Sequence, residues 1–300
     1  MISDIQEQNK RNTGWIFILM TAVIFSFGGM LVKEIRWNAI SVLPARGLMG
    51  VCLFCCWTDP FKIKLNRIKI ISALCFFAQG ALLVLAFKYT TAGNATILQN
   101  ISPIFIMILD FLVLKRKPTA VEVIVCAVLF AGVVTCIGGS ASTAGGIKGD
   151  LLALLSGLFY AGVFFCNAMP DANAKESLLI GNALHLLFIP FCFTDMQVRS
   201  SGIGQWLLVG LYAFAISSLA WLCFSYGIKS TPPLQAGFLG MAEPALSPVW
   251  AYLFLREKMS RMSFIGFMIV AATLIFYNIW AQRKGGGKKI PAVDKDGRSL

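Results

Sequence analysis

Apolar residues fill this chain in long runs, separated by short polar or helix-breaking punctuation. Crossing ~30 Å of hydrocarbon takes about 20 helical residues. Runs of that length predict spans at 14–32, 39–57, 68–88, 94–114, 121–139, 149–168, 177–195, 205–227, 234–254 and 262–280. The breaks fall at Thr58-Asp59-Pro60, Lys115-Arg116-Lys117-Pro118, Gly145-Gly146 and Thr231-Pro232-Pro233. Connections this short make sequence neighbours antiparallel. The expected fold class is an all-α membrane protein with ten transmembrane helices.

Ten crossings leave both termini on one side, and loop charge decides which. With the N-terminus inside, 15 Lys and Arg residues fall in cytoplasmic segments and 8 on the opposite side. Cytoplasmic loops carry the positive excess, so both termini are expected in the cytoplasm of a multi-pass inner (plasma) membrane protein. Trp15, Trp37, Trp57, Trp206 and Trp280 sit near run ends, where indole rings anchor at the interface. Residues 1–13 read as an N-terminal cytoplasmic segment. Residues 283–300, with Gly285-Gly286-Gly287 and mixed charges, read as a disordered cytoplasmic tail.

Composition removes the soluble classes. Of 300 residues, 57% are hydrophobic and 13% charged, against about 25% charged in a soluble domain. Mean hydropathy is +0.75. The net charge of +12 does not point to nucleic acid, because the cations lie in clusters between apolar runs and no soluble module presents them. The partners implied are a small-molecule substrate and the lipid bilayer; a homodimer is left open. The nine cysteines all fall within apolar runs. Cys52-Leu53-Phe54-Cys55 followed by Cys56 lacks the solvated turn and second ligand cluster of a zinc or redox site. These thiols are expected to pack within a helix bundle, and neither metal nor cofactor is called for. Lys10 and Arg11 before Trp15–Phe27 imitate a leader, but no small-residue cleavage site follows and the run continues through Gly28-Gly29. An uncleaved first helix is the expectation.

The chain also repeats itself. Shifted by 141, Lys88-Tyr89-Thr90 falls on Lys229-Ser230-Thr231, Asn94-Ala95 on Gln235-Ala236, Leu98 on Leu239, and Ser102-Pro103 on Glu243-Pro244. Leu114-Lys115-Arg116-Lys117 falls on Leu255-Arg256-Glu257-Lys258, and Thr119 on Ser260. Gly14-Trp15-Ile16 falls on Gly149-Asp150-Leu151 at an offset of 135. Two halves, 14–140 and 149–282, thus hold five spans each. An odd number inserts the second half upside down, the geometry of alternating access around a midplane site.

Two five-helix repeats carrying these strings resemble EamA domains of the drug/metabolite transporter superfamily. Glu243-Pro244 followed by Leu255-Arg256-Glu257 is similar to the family's Glu-Pro and terminal Glu signature. Ser102-Pro103 is the weaker form in the first half, with Arg116 in the place of Glu257. Arg46, within Pro44-Ala45-Arg46-Gly47, resembles an arginine often present in the second span. The resemblance covers residues 14–280. It implies a secondary, non-ATP transporter of small metabolites such as amino acids or related amphiphilic compounds, commonly outward. It further implies a pathway between the halves lined by the first, third, fourth, sixth, eighth and ninth helices.

Ionisable groups within the membrane are costly and mark function or pairing. Here they are Arg46, Asp110, His185 and Glu243. Asp110 lies close to Lys115 and Lys117, where interfacial pairing accounts for it. Glu243, beside a helix-breaking Pro244, is a candidate for substrate binding or coupling, or for bonding to backbone at the kink. His185, with Asn182 one turn before it, is a second coupling candidate, with hydrogen-bonded packing as the alternative. Arg46, a further coupling candidate, reads as nearer the outer end, where it snorkels, fixes its helix to a neighbour or attracts anions. Tyr160, Phe164 and Asn167 share a helix face, as do Ser217, Trp221 and Ser225. Asn94, Gln99 and Asn100 cluster in span four, and span three adds Gln79. Amides and aromatics with few charges suit an uncharged or zwitterionic ligand with apolar parts. An intramembrane lipid-modifying enzyme or a lipid-carrier flippase are the competing readings. Enzymes of that kind group acids, bases or metal ligands at one depth, and the chain has a single His, no His-Glu-x-x-His string and no nucleotide loop.

Overall fold

A computed structural model of the protein describes residues 2–283, apart from 116, 141–145, 170, 232–235, 237, 238, 241, 257 and 258. The disordered tail expected beyond residue 283, the Glu257 of the family signature and its counterpart Arg116 lie outside the described residues. Those described form helices and connecting turns, with no strand among them.

The chain begins with α1 (Ile2–Ser26) and α2 (Gly28–Glu34), joined at Phe27, followed by α3 (Ala39–Cys55) and α4 (Arg67–Tyr89). The fourth apolar run is two helices, α5 (Ala92–Gln99) and α6 (Ser102–Leu114). Then come α7 (Ala120–Ser140), α8 (Gly146–Asn167) and α9 (Ala174–His185). A 3-10 turn at Leu186–Phe188 leads into α10 (Ile189–Thr194) and the short α11 (Met196–Arg199). The eighth run holds α12 (Ile203–Leu211), a π-helical stretch Tyr212–Leu219 and α13 (Ala220–Gly227). Last are α14 (Ala242–Leu255) and α15 (Arg261–Arg283).

Seven segments among the described residues are long and apolar enough to cross a membrane: Gly14–Glu34, Arg67–Tyr89, Ala92–Leu114, Ala120–Gly139, Gly146–Asn167, Ala174–Thr194 and Ile203–Gly227. Ala39–Cys55 and Arg261–Tyr277 are apolar but shorter. Polar groups turn inward while large apolar side chains such as Phe130, Leu207 and Phe276 face out. That inversion of the soluble pattern is what lipid as solvent demands.

Local chemistry fixes the ends. Asn66 and Thr91 accept the backbone N–H groups of Lys69 (2.8 Å) and Asn94 (3.2 Å), capping α4 and α5. Thr119 and Glu122 form a reciprocal capping box before α7 (2.7 and 3.3 Å). Pro103 lies in the first turn of α6, where its missing N–H costs nothing.

The main pairings are α4 along α8, α7 along α15, and α3 along α9. Two junctions have matching form. A Cβ on Gly14 would come 3.0 Å from Thr231 Oγ1. A Cβ on Gly149 would come 2.7 Å from the Thr90 backbone nitrogen, and Thr90 Oγ1 donates to Asp150 Oδ1 at 2.7 Å. Cys52, Cys55 and Cys56 lie on the exterior of α3 and the turn after it. The expectation that all the thiols pack inside the bundle therefore fails there: these three fall on the helix face turned away from α4 and α9.

Candidate functional site

Breaks in three helical runs meet at the centre. Gly28 follows the joint between α1 and α2, Asn100 stands in the joint between α5 and α6, and Glu243 lies in the first turn of α14 next to Pro244. Gly28 and Glu243 line a cavity of about 20 Å³, with Arg46, Gln79, Gln99, Tyr160 and Trp221. That volume is close to the space one water occupies, so a metabolite enters only if the helices separate.

Glu243 is 4% exposed and Arg46 3% exposed. A guanidinium and a carboxyl group thus line one cavity without an ion pair between them. Asn100 is the side-chain hydrogen-bond neighbour of Glu243, and its amide also donates to Thr96 O at 3.0 Å. Thr96 and Ser247 hydroxyls meet at 3.1 Å, tying α5 to α14.

Arg46 is buried and does not snorkel; of the readings open to it, contact with a neighbouring helix is the one the packing has. Its guanidinium lies against α4, where the missing side chain of Gly80 makes room. A Cβ there would come 2.6 Å from Nη1 and 2.7 Å from Cζ. The Phe76 ring centroid is 5.5 Å from Cζ, and the Tyr212 hydroxyl is a hydrogen-bond partner. Nε has none. Tyr212 opens the π-helical stretch, within which Ser218 Oγ donates to Ala213 O at 2.9 Å. π-Helical turns recur at functional sites because they redirect side chains that a regular helix would misplace.

The remaining polar wall spans three helices. Gln99 Nε2 donates to Ser156 Oγ at 3.1 Å, and that hydroxyl donates to Gln79 O at 3.2 Å. Gln79 Oε1 is buried without a hydrogen-bond partner. The opposite wall is aromatic. Trp221 meets Phe25 (5.3 Å), Phe76 (4.9 Å), Tyr160 (5.9 Å) and Phe224 (5.2 Å) edge to face.

Of the residues singled out from sequence, Arg46, Gln79, Gln99, Tyr160, Trp221 and Glu243 line this cavity, and Asn100 touches Glu243. The others are elsewhere. Asn94 Nδ2 donates to Ser263 Oγ at 3.4 Å. Asn167 Nδ2 donates to Ser72 Oγ and Val163 O, each at 2.9 Å. Ser225 bonds Leu222 O at 2.7 Å. Phe164 packs between Tyr160 (4.9 Å) and Phe224 (4.8 Å). His185 sits between Phe76 and Phe77, and neither ring nitrogen makes a hydrogen bond of ordinary geometry. Phe25, Gly28, Leu83, Phe87, Tyr212 and Ile216 also line the cavity, and the sequence reading missed them. Gly28-Gly29 was a usable signal, a helix-weakening pair within an apolar run. Tyr212 had none, since only the π-helical turn aims it at Arg46. Among the described residues, no group of three or more His, Cys, Asp or Glu side chains is placed to hold a metal ion.

The described helices form a multi-pass membrane protein with a small central cavity walled by polar and aromatic side chains. The chain belongs to the EamA-like transporter family, whose profile matches twice, at residues 12–137 and 147–279. It is similar to an uncharacterized transporter of Clostridium kluyveri, 25% identical over 290 residues, covering 88% of this chain and 93% of that protein. It is also similar to the uncharacterized transporter YwfM of Bacillus subtilis, 24% identical over 212 residues, 68% of this chain and 71% of that one. A solved crystal structure shares the fold at a TM-score of 0.68 and 13% identity, covering 91% of this chain and 99% of its own.

Proposed function

We propose that this protein is a secondary transporter that moves small zwitterionic or uncharged organic metabolites, amino acids or related amphiphilic compounds, by alternating access, and exports them. The observation that carries this reading is the burial of Arg46 and Glu243 in one cavity without an ion pair. A buried guanidinium and a buried carboxyl group held apart are costly to leave without partners, and a ligand carrying a carboxylate and an ammonium group satisfies both. The unpartnered Gln79 Oε1 offers a further acceptor, and the Trp221–Tyr160–Phe25 wall receives the apolar part.

The membrane architecture proposed is ten spans in two inverted five-helix repeats, residues 14–140 and 149–282, with both termini cytoplasmic in the inner membrane. The two matching junctions support it. Gly14 meets Thr231 as Gly149 meets Thr90; the first pair maps on the second by the offsets of 135 and 141. Each joins the start of one half's first helix to the end of the other half's third. Separating one junction while keeping the other opens the cavity to one side.

The test is counterflow in proteoliposomes loaded with a panel of amino acids and related amines and carboxylates. Exchange of zwitterions, with weak exchange of compounds bearing one charge alone, is the expected result. Consumption of a compound in detergent with no exchange across a bilayer would favour an enzyme instead.

A further inference from the structure

We infer that the protein has a second, peripheral site, a pocket of about 450 Å³ at the Lys88 end of α4, which binds the phosphodiester headgroup of a glycerophospholipid. Its walls come from the first turn of α3, the last turn of α4, and the chain from α10 into α11.

The pocket is not an antechamber of the central cavity. Gln79, Leu83 and Phe87 of α4 face the centre, spaced four apart on one face. Leu85, Lys88 and Tyr89 line the peripheral pocket from the other faces of the same helix.

The lining is part cationic and part apolar, which suits a lipid. Arg36 and Lys88 supply positive charge at the rim. Lys88 Nζ spends one of its three donors on the Ile35 carbonyl, leaving two for a phosphate oxygen. Asp195, also in the wall, offsets one of these two charges and leaves the rim net positive. Its two oxygens already accept the backbone N–H groups of Asn38 (3.1 Å) and Gln197 (2.9 Å), so it acts as a strut between α3 and α11. The lining also includes the apolar side chains of Ile40, Leu85 and Phe191. Phe191 is half exposed, and Ile189 and Phe193 beside it also face outward. Tyr89 in the lining is exposed, an amphipathic ring of the kind that settles at headgroup depth. A soluble phosphate has no use for the apolar lining; an acyl chain does. Both sources offer the same phosphate chemistry, and the apolar lining favours the lipid.

The full-length protein, purified in mild detergent, is mixed with phosphatidylethanolamine or phosphatidylglycerol and washed, and bound lipid is counted by native mass spectrometry. The parent is expected to keep one phospholipid, and Arg36→Gln/Lys88→Gln to keep about tenfold less, the scale of losing charge-assisted hydrogen bonds. Lys88→Arg is expected to restore retention. Arg36→Gln alone, at an exposed position, gives an intermediate loss should the double variant not fold. Excess inorganic phosphate or glycerophosphate is expected not to displace the lipid. Equal retention by parent and variants would overturn the site, as would displacement by inorganic phosphate alone. Counterflow in the central-site assay is unaffected by either result, so the two readings fail separately.

Discussion

Lys115 and Arg256 share one uncommon backbone conformation, φ 55° in each, and stand 141 residues apart. They are the positive-φ non-glycine residues among those described, and each ends a helix, α6 at Leu114 and α14 at Leu255. The same shift places Ser102-Pro103, which opens α6, on Glu243-Pro244, which opens α14. Two helices thus begin and end alike at one constant offset. Left-handed geometry costs a residue with a Cβ about 1–2 kcal/mol, part of which glycine recovers against its larger unfolded-state entropy. Lys115→Gly and Arg256→Gly are each expected to raise the thermal midpoint in detergent, by about 0.5–1 kcal/mol in stability. A lowered midpoint in both would show that the side chains, not the backbone, set these ends.

Glu243→Gln is expected to cut zwitterion exchange by about tenfold or more, the scale of losing one charge-assisted hydrogen bond in a buried site. Glutamine keeps the shape and still meets the Asn100 amide, so yield and gel-filtration profile should match the parent. Undiminished exchange in this variant would remove Glu243 from the ligand site.

Gly80→Ala tests Arg46 without touching its charge. The new methyl meets the guanidinium at 2.6 Å, so the side chain must move, away from Tyr212 or toward the cavity. Overpacking of this kind costs about 1–3 kcal/mol, and exchange should fall with it. Gly210→Ala is the control, since nothing lies within 4 Å of its Cβ. If the two variants exchange alike, the position of Arg46 is irrelevant to transport.

Much of this was legible in the sequence, and the misses have physical causes. Run length locates helices because the bilayer sets one length for all of them, so Arg67–Tyr89 and Gly146–Asn167 emerge within a few residues of the predicted spans. Glu243, Gln79 and Trp221 stand out because polar or bulky groups in such runs need a reason. What a run cannot say is whether an inward polar group meets a cavity or another helix. Asn167 and Ser225 have the right spacing, yet one bonds Ser72 and the other the Leu222 carbonyl of its own helix. The setting of Arg46 was not legible, because it depends on the absence of a side chain at Gly80, 34 positions away, and on the π-helical turn at Tyr212. Neither leaves a periodic trace.

Trp221 packs against four aromatic rings, so its replacement by alanine leaves a hole worth about 3–5 kcal/mol. Trp221→Ala is expected both to lower the thermal midpoint and to shift the competition profile toward bulkier side chains. Trp221→Phe separates these effects, keeping an aromatic wall at lower volume. A profile unchanged in both variants would place Trp221 in the core alone.

The Asp195 carboxylate makes a pH prediction outside the spans. Partial burial pushes its pKa up, but hydrogen bonds from the Ser41 side chain and from the N–H groups of Asn38, Gln197 and Val198 outweigh that and hold it below the ordinary 3.8. The folded protein therefore binds this proton less readily than the unfolded chain. The resulting stability is fully present above pH 3.8 and is lost as pH falls through the lower folded value. Asp195→Asn keeps the size and one acceptor but not the charge. Its thermal midpoint should fall short of the parent's at about pH 6, and the gap should narrow as both are taken toward about pH 3. A gap that stays constant over that range would mean that shape, not charge, ties α3 to α11.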